Sequence, residues 1–148
     1  MLRRNFFKTG LLGISLPSLS FGKVDIKRNL KKPVIITTWN FPKANNEAIS
    51  VLNKYGTSMD AAEAGCKIIE ADKNNNSVGI GSLPDETGRV TLDSCVMDSN
   101  GNCGSVAFLE NIVHPVSVAR KVMEDTKHVM LVGKGAKKFA ISKGFKHT

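Results

Sequence analysis

The stretch from Val78 to Asp98, VGIGSLPDETGRVTLDSCVMD, constrains the fold more than any other part of this sequence. Two extended segments that contain apolar residues flank a loop too rich in turn residues to be helical. Within the loop Pro84 fixes φ and lacks an N–H, Asp85 can bond to its own neighbouring backbone, and Gly88 permits a positive φ. The pattern predicts a β-hairpin whose loop can be held rigid over a site, although turn chemistry alone also fits an ordinary hairpin. The predicted strands are Val78–Gly81 and Arg89–Met97.

The remaining elements follow from hydrophobic spacing and from capping residues. An Asn–Gly pair at Asn100–Gly101 predicts a second hairpin turn. The order of elements favours an α+β fold with a mixed or largely antiparallel sheet and flanking helices. The other predicted elements are a buried strand over Pro33–Trp39, a helix from Asn45 or Asn46 to Gly56, a helix capped by Thr57 or Ser58, a strand over Gly104–Leu109, a helix from Pro115, a strand within Lys127–Gly133 and a helix over Lys134–Lys143.

The chain of 148 residues divides into a leader, a linker and one domain. Residues 1–22 combine the twin arginines Arg3 and Arg4 with a short apolar run, which predicts an export signal of the twin-arginine type, with an N-terminal anchor as the alternative. We therefore expect an exported or periplasmic protein without a stable membrane span. Residues 23–32 are a basic linker, and residues 33–148 form a single domain.

Charge and cysteine content exclude several functional classes. The formal net charge is +8, but four of the basic residues lie in 1–23, and the remainder holds 17 basic and 13 acidic residues without a recognised nucleic-acid motif. Cys66, Cys95 and Cys103 form no CxxC pair and have no histidine nearby, which argues against a zinc site. We expect buried free thiols, or a Cys95–Cys103 disulfide if the protein is exported.

Several motifs occur in order along the chain and together resemble a known family. They are TTWNF at 37–41, GTSMDAAEAGCKIIE at 56–70, the stretch at 78–98, SVARKVMEDTKHVMLVG at 117–133 and the closing Gly144–Phe145. From about residue 33 to residue 145 the sequence is similar to the N-terminal, α-chain portion of the glycosylasparaginases. The resemblance implies an N-terminal nucleophile hydrolase with a four-layer αββα sandwich, of which this chain would supply the N-terminal half.

The family resemblance also implies a reaction and a partner. Glycosylasparaginases hydrolyse the amide bond between N-acetylglucosamine and asparagine, and their precursors cleave themselves before a threonine that becomes the nucleophile of a β chain. Such a threonine can use its own α-amino group as the general base. The family's His-Asp-Thr sequence is not found here, and we give His147–Thr148 no catalytic role. We therefore expect a chain that is inactive without a complementary β chain, has no cofactor or metal, and joins an (αβ)2 assembly as in the family.

Two aromatic residues are the predicted pocket residues. Trp39 matches the family's tryptophan that lines the substrate pocket, and Phe41 lies close to it. An indole at this place would cover apolar substrate surface and offer its N–H as a donor. The alternative for Trp39 is a core aromatic residue that ends a strand.

The loop of the opening stretch also matches a family pattern, G-G-x-P-D-x-x-G. Pro84, Asp85 and Gly88 match, whereas Ser82 stands where the family usually has a second glycine. The resemblance predicts that this loop lies near the site. We expect Asp93 and Asp98 to be structural, because five residues apart in a strand they face opposite sides.

Two other functions fit the same sequence. A related threonine hydrolase would act on free asparagine or on isoaspartyl peptides instead of the glycosylated substrate. A non-enzymatic, subunit-like binding protein would use its incomplete sheet to hold a partner.

Overall fold

A computed structural model describes residues 32–148, so the predicted export signal at 1–22 and the linker up to residue 31 lie outside the described residues. The described part is an α+β unit, as expected. Its helices are α1 (Pro42–Asn53), α2 (Ser58–Glu70), α3 (Pro115–Asp125) and α4 (Gly133–Ser142), and its strands are β1 (Leu92–Met97), β2 (Cys103–Leu109) and β3 (Met130–Val132).

The helix boundaries follow local capping chemistry. Thr57 caps α2, since its hydroxyl accepts from the backbone N of Asp60 at 3.1 Å while the Asp60 carboxylate accepts from the backbone N of Thr57 at 2.9 Å. Helix α3 begins at Pro115, where a missing N–H costs nothing. Helix α1 begins at Pro42 for the same reason, three residues before the predicted start. The predictions of α1 to α4 are therefore confirmed in type, with shifted boundaries for α1, which ends at Asn53, and for α4, which begins and ends one residue earlier than predicted.

The sheet has the order β1-β2-β3 and is mixed. Strands β1 and β2 are antiparallel, and β2 and β3 are parallel with α3 as the crossover. The Asn–Gly turn joins β1 to β2: Gly101 has a φ of 83°, and the Asp98 carboxylate accepts from the backbone N of Asn100 and Asn102 at 2.8 and 2.9 Å. The hairpin predicted at this turn is confirmed, and Asp98 is structural as expected.

Helices α3 and α4 cover one face of the sheet and form the hydrophobic core with it. Gly104 of β2 lets α3 approach closely, because a Cβ there would lie 2.3 Å from the Ala119 carbonyl oxygen and 2.4 Å from the Met123 backbone nitrogen. The core is therefore built from neighbouring parts of the chain. Its buried members are Val106, Leu109, Ile112, Val118, Ala119, Val122, Ala136 and Ala140.

The other face of the sheet carries apolar side chains that remain accessible. Met97, Met130 and Val132 are each more than half exposed. In the strand register they stand opposite Cys103, Ser105 and Ala107 respectively, which places them on one face. Exposed apolar side chains on one face of a sheet are suited to cover by another layer.

The hairpin predicted over Val78–Asp98 is wrong. Residues Gly79–Gly81 form a 3₁₀ turn, and β1 begins only at Leu92. Gly79 has a φ of 76° and packs against the end of α2, where a Cβ would lie 2.1 Å from the Glu70 carbonyl oxygen. This tertiary contact, and not strand pairing, fixes the backbone of the turn.

The strand predicted over Pro33–Trp39 is also wrong for the described structure. The segment forms neither helix nor strand, and Val34, Ile36 and Trp39 are 64%, 85% and 67% exposed. Strand propensity reflects packing against neighbouring strands, and here β1 pairs with β2 while residues 33–39 pair with no described strand.

The structure also bears on membrane-spanning helices and on the state of the three cysteines. Within residues 32–148, no helix is both long and apolar enough to cross a bilayer. The three thiols are free, and the expectation that they are buried is wrong for Cys66 and Cys95, which are exposed. Cys95 stands opposite Ser105 and Cys103 opposite Met97, so the two cysteines are diagonal neighbours that do not face each other.

Candidate functional site

A cavity of about 800 Å³ lies at the helix pair α1–α2. Its walls come from residues 34–39, the two helices, the turn at 77–79, the start of β1 and Pro115. Small side chains let α1 and α2 pack closely behind it, since Ala44, Ala48, Ala61 and Gly65 are buried between them. The lining is mostly apolar and contains no lysine or arginine, so it suits a neutral or basic occupant.

Both predicted pocket aromatics line this cavity. Trp39 is 67% exposed and Phe41 is half-buried. The Trp39 carbonyl oxygen accepts from the Thr37 hydroxyl and from the Phe41 backbone N, each at 2.9 Å, just before α1 begins. These two hydrogen bonds fix the turn that presents the aromatic residues. In the described part of the chain Trp39 is exposed, and its role in a substrate pocket stays a prediction.

Of the predicted loop residues, only Ser82 lines the same cavity. Gly88 lies in a second cavity of about 740 Å³, together with Lys73, Arg89 and Glu110. Pro84 and Asp85 line neither cavity. The structure thus brings Trp39, Phe41 and Ser82 together and places the tip of the loop elsewhere.

Asp85 holds the loop in shape. Its Oδ1 accepts from the backbone N and hydroxyl of Thr87 at 2.8 and 2.6 Å and from the backbone N of Arg89 at 3.0 Å. The hydrogen bond from the Thr87 hydroxyl is the largest cause that lowers the Asp85 pKa to about 2. Gly88, with a φ of 81°, closes the turn. These contacts give Asp85 and Gly88 of the family pattern a conformational role.

The cavity also contains a buried acid that the sequence interpretation missed. Glu70, the last residue of α2, is 6% exposed, and its Oε1 accepts from the Val116 backbone N at 2.9 Å. Its Oε2 lies 3.2 Å from Nδ1 of His114. Glu70 therefore stabilises the N-terminus of α3, where a carboxylate accepts free backbone N–H groups.

Burial dominates the ionisation of this pair. Desolvation raises the pKa of Glu70 to about 7, with the Glu63 charge adding to the rise and the Val116 N–H opposing it. Desolvation, with the nearby Lys67 charge, lowers the pKa of His114. Burial therefore favours the neutral form of both groups in this contact.

A second polar cluster joins α2 to α3. Arg120 donates to Asp60 and Glu63 at 2.7 Å each and to Glu124 at 2.6 Å, and the Ser117 hydroxyl donates to Glu63. Glu63 and Glu70 are seven residues apart, which puts them on one side of the helix two turns apart. That spacing is the sequence signal that could have identified the α3-facing side of α2.

One buried polar atom near the cavity lacks a partner. Oδ1 of Asn45 is buried and accepts no hydrogen bond from any described residue, and Asn45 lines the cavity. A buried acceptor without a donor costs about 1–3 kcal/mol. The hydrogen-bonding capacity of Asn45 is thus incompletely satisfied in the described part of the chain.

The lining groups limit the chemistry of the cavity. Cys66 supplies a thiol, and serines and threonines of the lining supply hydroxyls, but in residues 32–148 none of these groups hydrogen-bonds to a histidine or carboxylate side chain that could act as its base. The hydroxyl groups are those of Thr37, Thr38, Ser58, Ser77, Ser82, Thr91 and Ser94. Residues 32–148 contain no group of three His, Cys, Asp or Glu side chains arranged to bind a metal. The cavity can hold and orient a ligand through its aromatic and apolar walls.

Comparison with known proteins identifies the family of this chain. A family model described as asparaginase matches residues 18–148. An N(4)-(beta-N-acetylglucosaminyl)-L-asparaginase of Elizabethkingia miricola is 49% identical over 97% of this chain and 44% of its own length. Proteins with the same name are 42% identical in Rattus norvegicus, over 76% of this chain and 33% of theirs, and 38% identical in Mus musculus, over 90% and 39%.

The chain therefore spans less than half the length of these curated relatives. The match covers all of the described helices and strands, including both predicted pocket aromatics. The chain belongs to the asparaginase family, as its resemblance to the glycosylasparaginases implied.

Proposed function

We propose that this chain is one part of an amide hydrolase that cleaves the bond between N-acetylglucosamine and asparagine. The observation that carries the proposal is the position of Trp39 and Phe41 on one cavity, within a chain whose relatives bear the name of that activity. An exposed indole beside a mostly apolar cavity suits the apolar face of a sugar or the aspartyl chain of the substrate.

In this proposal the nucleophile belongs to a complementary part of the protein. None of the hydroxyl and thiol groups that line the cavity hydrogen-bonds to a histidine or carboxylate side chain among the described residues. A threonine at the start of a complementary β chain would supply both the hydroxyl and, through its α-amino group, the base. This chain would contribute the aromatic wall, and a four-layer αββα sandwich would form from the two parts.

Two features support the existence of that partner. The outer face of the sheet exposes Met97, Met130 and Val132, and a second sheet packed on it would bury them. The chain also spans 44% of the length of the Elizabethkingia relative. An (αβ)2 assembly, as in the family, is part of the same proposal.

Export is proposed on the sequence alone. Arg3 and Arg4 followed by a short apolar run support recognition by a twin-arginine export system and a periplasmic or exported location. Such a system would carry the chain in a folded state.

The test is reconstitution. The full chain is assayed for aspartate release from N4-(β-N-acetylglucosaminyl)-L-asparagine, alone and after co-production with the part of the Elizabethkingia relative that it does not match, designed to begin at the threonine. We expect no turnover alone and turnover with the added part. Trp39→Ala in the reconstituted enzyme should raise KM about tenfold or more, with Tyr55→Ala, a 99% exposed residue outside the cavity, as the matched control.

Each other result changes the conclusion in a defined way. Turnover by the chain alone would overturn the need for a partner. Preference for free asparagine or an isoaspartyl dipeptide would assign the chain to a related hydrolase. Stable association without cleavage of any of these substrates would identify a subunit-like binding protein.

A further inference from the structure

Electrical charge is distributed unevenly along the described part of the chain. Residues 32–125 contain eight basic and twelve acidic side chains, whereas residues 126–148 contain six lysines and no aspartate or glutamate. The C-terminal part is therefore strongly basic, and the part before it is acidic overall. A charge asymmetry of this kind within one chain indicates an interaction with a partner of opposite charge.

Helix α4 places three of the six lysines on its outward side. Its inner side carries Ala136 and Ala140, which are fully buried in the core. Four residues on the other side follow the i, i+3, i+4, i+7 spacing of a single helix face: Lys134, Lys137, Lys138 and Ile141. Lys134 and Lys138 are exposed, and Ile141 is 46% exposed. We call these four residues the basic face of α4.

The lysines of the basic face are not neutralised by neighbouring carboxylates. Among residues 32–148, the lysines that form ion pairs are Lys121 and Lys143, with Glu124 and Asp125 respectively. Arg120 holds three carboxylates, each at 2.6 or 2.7 Å. The acidic groups closest in sequence to α4 are thus engaged elsewhere, and the basic face keeps its full charge.

We propose that the basic face of α4 binds the surface of a bilayer that contains anionic phospholipids. Lysine carries a point charge on a flexible stem and suits a diffuse layer of phosphates, whereas arginine is the residue of planar, specific ion pairs. Residues 126–148 contain no arginine. The exposed Ile141 beside the lysines can enter the headgroup region. Each lysine near such a surface strengthens binding about fivefold, so three lysines together give about 100-fold.

The position of α4 lets this contact form without blocking the cavity. Helix α4 packs on β2 and β3, whereas the cavity is lined by the start of β1 and by no residue of α4. A second sheet, as in the proposed function, would cover the other face of the sheet and leave the outward side of α4 free. Repulsion between the bilayer and the acidic residues of 32–125 would fix the orientation of the molecule. Membrane binding of this kind is independent of the proposed hydrolysis.

The test compares acetylation of individual lysines in the full chain, measured by mass spectrometry with and without vesicles. One set of vesicles contains phosphatidylcholine alone, and the other contains phosphatidylcholine and phosphatidylglycerol in equal amounts. On the anionic vesicles we expect Lys134, Lys137 and Lys138 to react at least about fivefold more slowly. The exposed Lys43 and Lys54 should react as fast as in solution. Membrane contact by the N-terminal residues alone would not single out α4.

A triple variant measures the contribution of the basic face to affinity. Lys134→Gln, Lys137→Gln and Lys138→Gln together should weaken binding to the anionic vesicles about 100-fold, as measured by co-sedimentation. Raising the ionic strength from about 0.1 M to about 1 M should release the wild type, because the Debye length falls from about 10 Å to about 3 Å.

The matched control removes the same charge from exposed positions outside α4. It carries Lys43→Gln, Lys54→Gln and Lys73→Gln. We expect this control to bind the anionic vesicles within about twofold of the wild type, because charges far from the contact are screened. Circular dichroism of both variants checks that they fold, as expected for substitutions of surface lysines.

Each contrary result overturns the proposal. Equal reactivity of the α4 lysines and the control lysines on the anionic vesicles, equal protection on phosphatidylcholine alone, or equal affinity of the two triple variants would do so. Protection of the α4 lysines in a dimer formed without vesicles would assign the basic face to a second copy of this chain. Stronger protection by a single-stranded oligonucleotide than by the vesicles would assign it to nucleic acid.

Discussion

The inner face of the sheet is covered by helices, whereas the helix pair α1–α2 borders an open cavity. On the inner face Leu109 of β2 is fully buried against Val118 and Val122 of α3, which are fully buried as well. Beside the helix pair a cavity of about 800 Å³ stays open, and Ile36 and Trp39 on its wall are 85% and 67% exposed. Apolar side chains occur in both regions, so amino-acid composition alone does not distinguish the two regions.

The difference lies in where the contacts come from. The inner core is made by elements that follow one another from β1 to α4, and each covers its neighbour. The cavity is lined by segments that have free backbone edges and no third layer among the described residues. Polar contacts from Glu70 and Arg120 join the two regions. The closed region can therefore be stable by itself, whereas the open region is suited to receive a partner.

The largest difference in stability between the two regions should appear when one large side chain is truncated in each of them. Leu109→Ala should lower the free energy of unfolding by about 3–4 kcal/mol, because it leaves a cavity in a packed core. Ile36→Ala should change it by less than about 0.5 kcal/mol, because that side chain is exposed. Urea denaturation of the full chain measures both. Similar losses for the two variants would contradict the division into closed and open regions.

A smaller effect should follow from adding one methyl group to a glycine. Gly104→Ala should cost about 2–3 kcal/mol, because its Cβ would lie within 2.4 Å of two backbone atoms of α3. Gly135→Ala is the control: it lies in α4 with no atom within 4 Å of an added Cβ, and should stabilise by about 0.5–1 kcal/mol. Thermal unfolding reports both shifts, and a neutral Gly104→Ala would show that α3 can move off the sheet.

The contact between the two regions should depend on pH through Glu70. Its pKa is about 7 in the folded chain against an ordinary 4.5, so the folded state binds more protons between these values. Stability contributed by this group is then full below about pH 4.5 and is lost as the pH rises through about 7, a difference of about 3 kcal/mol.

Glu70→Gln should remove this part of the pH dependence, because the amide keeps an acceptor for Val116 and never ionises. The variant should be about as stable as the wild type at pH 4.5 and more stable at pH 8. Glu86→Gln, in an exposed loop, is the matched control. Denaturation curves from pH 4.5 to 8 measure the free energy of unfolding of each variant. Parallel pH profiles for the wild type and Glu70→Gln would rule out a role for this carboxyl group.

Local signals made much of the closed region predictable. Thr57 and Asp60 mark the start of α2 through side-chain hydrogen bonds within one turn, and Pro115 marks the start of α3. The Asn100–Gly101 pair identifies the β1–β2 turn because Gly101 requires a positive φ. In each of these cases the residues that decide the structure are close in sequence.

The errors occurred where distant contacts decide the backbone. Gly79 takes its conformation from the end of α2, and residues 33–39 have strand composition without a strand partner among the described residues. For the candidate site, Trp39 and Phe41 came from the family resemblance, and their pocket role stays a prediction. Glu70 was missed because its function depends on α3, which lies more than forty residues away in sequence.

The β1–β2 hairpin has a consequence for the order of folding. The Asp98 carboxylate closes the turn of this hairpin through its hydrogen bonds. Helix α3, which covers the hairpin, begins only six residues after β2 ends. Contacts of such short sequence separation form quickly, because little chain entropy is lost in closing the loops. We expect this hairpin and α3 to form early in folding, before the contacts between α2 and α3.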